Sequence, residues 1–173
     1  MIKKPENLDP KVYYKPLIDK VVEEDAVQAL ENSLAQTVEL IESISSDQES
    51  FAYADGKWNL KQLFQHLVDC ERIMAYRALS LARGEKGTLL GFDDQAYVDM
   101  DGTQNVNLKS IKLDFIAARK ATISLVKTIP FNQLELVGNA NGISSTAKMV
   151  IWFIAAHNYH HNSIVLERYL NTK

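Results

Sequence analysis

The chain holds one cysteine, Cys70, among 173 residues. No internal disulfide can staple it, so its stability must come from a packed core. Four prolines and seven glycines are too few for a collagen-like repeat, a disordered segment or a turn-rich all-β fold. The opening residues, Met1-Ile2-Lys3-Lys4-Pro5-Glu6, lack the apolar stretch of a signal peptide. The longest uncharged apolar run, Met149 to Ala156, falls far short of the ~20 residues that span a bilayer. A basic stripe is missing too. The 19 Lys and Arg are interspersed among 22 Asp and Glu, for a net charge of −3, which leaves nothing to grip a phosphate backbone. These absences predict a cytoplasmic protein with neither a membrane nor a nucleic acid as partner.

At ~150 residues per domain the chain reads as one domain, residues 1–173. Four stretches carry helical periodicity. From about Asp25 to Ser45, the residues Val27, Leu30, Leu34, Val38 and Ile41 recur at three- and four-residue steps. A second helix begins after Asn59, with Gln62 placed for a capping box. Its stripe is Leu60, Leu63, Leu67, Cys70, Met74 and Leu81, and Gly84 stops it. A third spans about Asn107 to Ile129 and ends at Pro130. A fourth follows the turn-like Gly138-Asn139-Ala140-Asn141-Gly142, is capped by Ser144 or Ser145, and runs to about Leu170. No strand-like alternation is visible, so the predicted class is all-α, a four-helix bundle with long crossover loops over residues 46–58 and 85–106.

The histidines carry the chemistry. There are four, His66 on the second helix and His157, His160 and His161 on the fourth. At 100° per residue, His157 and His161 share the core-facing stripe one turn apart, and His66 sits on the inner shoulder of its own helix. One inward histidine is ordinarily a core residue satisfied by a hydrogen bond. Three of them, an i, i+4 pair plus one from a facing helix, can share a divalent ion, which satisfies all three together. Three neutral imidazoles leave a coordination position open for water or substrate, as in catalytic zinc sites. Imidazole also suits nickel, iron and copper. The intervening Asn158-Tyr159-His160 contains no glutamate, which excludes an HExxH protease motif.

The segment Trp58-Asn59-Leu60-Lys61-Gln62-Leu63-Phe64-Gln65-His66, the loop Gly91-Phe92-Asp93-Asp94-Gln95-Ala96-Tyr97, the run His157-Asn158-Tyr159-His160-His161 and the terminal Glu167-Arg168-Tyr169-Leu170 resemble the DinB/YfiT-like superfamily, over roughly residues 25–172. The resemblance implies a four-helix bundle holding one divalent metal, usually zinc or nickel, on three histidines, here His66, His157 and His161. It also implies transferases or isomerases that use low-molecular-weight thiols as cosubstrate, and homodimers.

The remaining candidates are weighed against plainer roles. Cys70 is central in an apolar stripe and reads as a small hydrophobe. His160 points about 60° from His157, which suits a base beside the metal better than a ligand. Arg77, Asp93, Asp94 and Tyr97 are candidate pocket residues, Arg77 for an anionic substrate and the three loop residues as a rim. Trp152, Ala155, Ala156 and Tyr159 form a second apolar patch, fit either for another part of the bundle or for a dimer contact. The expected activity is a metal-dependent S-transferase or related isomerase acting on a small electrophile. The alternatives are a hydrolase using hydroxide held on the metal, and a non-catalytic metal-binding stress protein.

Overall fold

The computed structural model describes residues 1–6, 8 and 13–170. Four long helices make the body: α2 (Ala26–Ser43), α3 (Leu60–Ala82), α5 (Leu108–Thr128) and α6 (Ala147–Ile164), with a short α1 (Lys15–Ile18) and α4 (Asp94–Asp99) added. Helix α6 continues as a widened π-type turn over Val165–Leu170. Successive long helices α2 and α3 do not form the main pairings. Each packs on α5 and on α6 instead, so the bundle closes in the order α2, α5, α3, α6.

The helix starts follow their caps. Asn59 accepts from the Gln62 backbone while the Gln62 side chain accepts from the Asn59 N–H, so the capping box is complete. Asn107 caps α5 through Ser110 N. Helix α6 is capped by Thr146, which accepts from Met149 N, and not by Ser144 or Ser145. Those two belong to a strand.

That strand is a departure from the all-helical expectation. Strands β1 (Thr88–Leu89), β2 (Val137–Ala140) and β3 (Ile143–Thr146) form a small sheet in that order. β1 pairs parallel to β2, and β2 pairs antiparallel to β3. The hairpin turns on Asn141 (φ 55°) and Gly142 (φ 78°), the left-handed pair that a tight two-residue turn requires. The sheet ties the α3–α4 crossover to the start of α6, so half of the predicted 85–106 loop carries structure of its own.

The apolar patch on α6 is covered from within the chain. Trp152 is fully buried, its indole N–H donates to Lys3 O at 2.9 Å, and α1 packs along the same helix. Among the described residues no helix is long and apolar enough to cross a membrane.

Buried apolar residues form two clusters. One gathers Ile18, Leu30, Leu81, Val126 and Trp152, the other Leu40, Leu60, Phe64, Phe115 and Tyr169. Buried polar side chains lie between them, among them Ser33, Thr37, Glu71, Arg119, Asn158 and Asn162. The histidines sit at the edge of this polar layer.

Candidate metal centre

Helices α3 and α6 bring His66, His157 and His161 together. The Nε2 of His157 lies 3.3 Å from that of His66 and 3.0 Å from that of His161. One ligand atom from each of the three falls within 4.8 Å of the others. Nε2 of His157 carries either one proton or one in-plane lone pair, so it can complete only one of the two contacts as a good hydrogen bond. A cation between the rings relieves this conflict. Tetrahedral nitrogens at ~2.0–2.1 Å from zinc would stand ~3.3–3.4 Å apart, close to the spacing seen here. The donor set fits a divalent ion.

Neighbours fix the rings. Trp58 packs on His66 with centroids 4.9 Å apart, and the indole N–H donates to Gln95 on α4 at 2.9 Å. Asp94 Oδ1 stands 4.0 Å from His66 Nδ1, a long electrostatic contact that favours a proton on that nitrogen and leaves Nε2 as the donor to a metal. Nδ1 of His161 is buried and has no hydrogen-bond partner among the described residues.

Burial, and then the positive charge that its neighbours would carry, holds His157 well below the usual histidine range. The same causes lower His161 from 6.5 to about 3. His66 is lowered by burial, against an opposing pull from Asp94 and Asp69. All three are neutral at physiological pH, the state a metal needs. In the unfolded chain they titrate near 6.5, so acid adds protons to the unfolded state first. Stability of the metal-free protein is therefore fully present above pH ~6.5 and falls as pH descends toward the lowered folded values. Urea midpoints of chelator-treated protein should drop between pH 7 and pH 5.5, and less so in His157→Gln. Equal slopes for both proteins would contradict this.

The centre borders an open cleft of about 260 Å³, walled by Tyr13, Tyr14, Phe92, Phe153, Arg77 and Asn141, with Cys70 and His157 also on its lining. The hairpin tip reaches the cleft because Gly91 has no side chain. A Cβ there would stand 2.2 Å from Asn141 Oδ1. Cys70 is buried, and in the metal-free protein its thiol is pushed up to about 12 chiefly by desolvation.

The other predicted site residues divide. Arg77 lines the cleft. Asp93 caps α4, its Oδ1 accepting from Gln95 N and Ala96 N, while its neighbour Asp94 is the carboxylate that lines the cleft. Tyr97 is exposed and packs on Phe92 from outside the lining. His160 faces a separate hollow with Leu17, Lys20, Val21 and Tyr159. Asp94 was expected at the rim with Asp93 and Tyr97, whereas Trp58, Tyr13 and Tyr14 were not singled out from sequence.

A bundle with three converging histidines at a cleft defines a class, and comparison with known proteins gives its family. The DinB superfamily model matches residues 29–165, and the chain belongs to that superfamily. A protein of Oceanobacillus iheyensis that carries the provisional name metal-dependent hydrolase is 29% identical over 138 residues, covering 78% of this chain and 76% of its own. Among solved structures, YfiT from Bacillus subtilis, described as a probable metal-dependent hydrolase with an unusual four-helix bundle topology, aligns with a TM-score of 0.75 at 18% identity. That alignment covers 95% of this chain and 90% of YfiT. A mycothiol-dependent maleylpyruvate isomerase aligns with a TM-score of 0.67 at 8% identity, over 80% of this chain and 58% of its own.

Proposed function

We propose that the chain is a divalent-metal-dependent enzyme that transfers the sulfur of a low-molecular-weight thiol to a small electrophile. The observation that carries this reading is the convergence of three neutral imidazole nitrogens beside an open, aromatic-walled cleft. His66, His157 and His161 would hold the ion, and zinc or nickel suits an all-imidazole donor set. A bound ion supplies positive charge that keeps a nucleophile anionic at neutral pH.

The chain's own residues do the rest. Asp94 and Trp58 hold the His66 ring in place. Tyr13, Tyr14, Phe92 and Phe153 offer apolar surface that excludes water from a bound electrophile. Cys70 is buried and desolvation pushes its thiol up, so this reading takes the sulfur from a cosubstrate. In the transfer the cosubstrate thiol gives up its proton and its sulfur forms a C–S bond to the electrophilic carbon. The leaving group departs with the electron pair of the broken bond. A mycothiol-dependent enzyme on a similar fold supports thiol chemistry here.

A hydrolytic reading has its own observation, Asp94 on the cleft wall beside His66, together with the names of two hydrolase-like relatives. One assay separates the two. Metal-loaded protein is given monochlorobimane with a panel of small thiols, and 4-nitrophenyl acetate without thiol. Thiol transfer predicts conjugation at least tenfold above that of His161→Ala and no ester turnover. Ester turnover that ignores added thiol would install the hydrolase instead. Neither reaction would remove the enzyme reading.

A further inference from the structure

Three arginines on α3 and α5 invite comparison. Arg72 pairs with Asp114 on the surface, at 2.5 and 3.0 Å. Arg119 is fully buried and is met by Glu71 through two bonds, at 2.9 and 2.8 Å. Arg77 is buried as well, only 6% exposed. Among the described residues no carboxylate pairs with it. Its guanidinium donates to Leu90 O at 2.6 Å, lies 3.6 Å from Met74 Sδ and stands over the Phe92 ring at 5.9 Å. None of these partners bears a negative charge.

A buried guanidinium without a counter-ion is costly unless something supplies one. The fold supplies it for Arg119 and leaves Arg77 at the wall of the cleft. Asp94 is the other charged residue of opposite sign on that lining, and it stands beside His66 without pairing with Arg77. Arg77 follows His66 by eleven residues, about 16 Å of helix rise. The two positions are about three turns apart on α3, so an anion on Arg77 is held apart from the histidines and serves as a handle. The lining offers one fixed cation, which suits a single carboxylate better than a doubly charged phosphate.

We infer that the cleft takes a small molecule with a carboxylate at the end remote from its reacting atom, and that Arg77 binds that carboxylate. The inference rests on the cleft being the substrate site. The carboxylate can belong either to the thiol cosubstrate or to the electrophile, and two probes separate these sources.

Calorimetry on zinc-loaded protein compares 4-phenylbutyrate with 4-phenylbutyramide, an acceptor-like pair, and 3-mercaptopropionate with 3-mercaptopropionamide, a thiol pair. The wild type should prefer the acid at least tenfold in one pair, which names the source. That preference should shrink to about twofold in Arg77→Gln and recover in part in Arg77→Lys. It should persist in His161→Ala for 4-phenylbutyrate, whose carboxylate then cannot be reporting the metal. Equal binding of acid and amide in both pairs, no binding by the wild type, or a preference retained in Arg77→Gln would overturn the inference. The wild-type comparison stands even if Arg77→Gln fails to fold. An Arg77-dependent acid preference without thiol transfer would leave this site intact and sink the proposed reaction alone.

Discussion

Replacing His161 with alanine is expected to empty the metal centre. Wild-type protein purified without chelator should carry about one divalent ion per chain by mass spectrometry, and His161→Ala almost none. Adding zinc should stabilise the wild type by RT ln(1 + [L]/Kd), about 2.7 kcal/mol at a hundredfold excess over Kd. For a domain of this size that is a rise in Tm of about 5–10 °C. The variant should show no such rise, because two imidazoles no longer close the site.

His160→Ala is the informative control, since His160 is adjacent in sequence and faces the hollow beside Lys20 and Leu17. Its metal content and zinc-dependent shift should match the wild type. Metal loss from His160→Ala, or a zinc shift that survives His161→Ala, would dissolve the three-histidine centre.

What the sequence made legible was local. The four long helices follow from apolar periodicity and caps, and the Asn59–Gln62 capping box is visible as a pair of letters three apart. The three histidines were likewise visible, because 3.6-residue periodicity alone puts His157 and His161 on one face. The sheet was hidden for a physical reason. Its strands are two and four residues long, and β1 finds β2 across about fifty residues of intervening chain. Val137-Gly138-Asn139-Ala140 has little strand propensity of its own, so tertiary pairing decides. The cleft was hidden in the same way. Tyr13 and Tyr14 come from the N-terminal segment, Asn141 from the hairpin, and only the folded chain places them opposite Arg77. The inward face of Arg119 was another silence, since a helical arginine is ordinarily solvated.

That arginine sets the second large effect. Arg119 is 0% exposed and Glu71 3%. Beyond the paired bonds to Glu71, Arg119 donates to Leu30 O at 2.9 Å and to Ser33 Oγ at 2.7 Å. Asn158 Oδ1 is 3.5 Å away, and Thr37 lies within 3.2 Å of that oxygen and 3.0 Å of Asn162 Oδ1. The network thus binds α2, α3, α5 and α6 through their buried faces, beside the residue that follows His157. Replacing Glu71 with alanine leaves the guanidinium buried and unpaired, a loss of about 3–5 kcal/mol. Against a total stability of about 5–15 kcal/mol this is large, and Tm should fall by about 6–20 °C.

Removing both charges is a different experiment. Glu71→Leu with Arg119→Met replaces the pair by apolar volume and should recover most of the loss, because the desolvation cost goes with the charges. Metal affinity need not recover with it. The network fixes the rotation of α6, and outer contacts of this kind are commonly worth 10–100-fold in metal binding. Urea unfolding and zinc titration on the same two proteins separate the roles. A double variant with wild-type stability and at least tenfold weaker zinc binding makes the buried pair a device for aiming His157. Equal recovery of both makes it structural only, and a Glu71→Ala loss below about 1 kcal/mol would contradict the buried-pair argument itself.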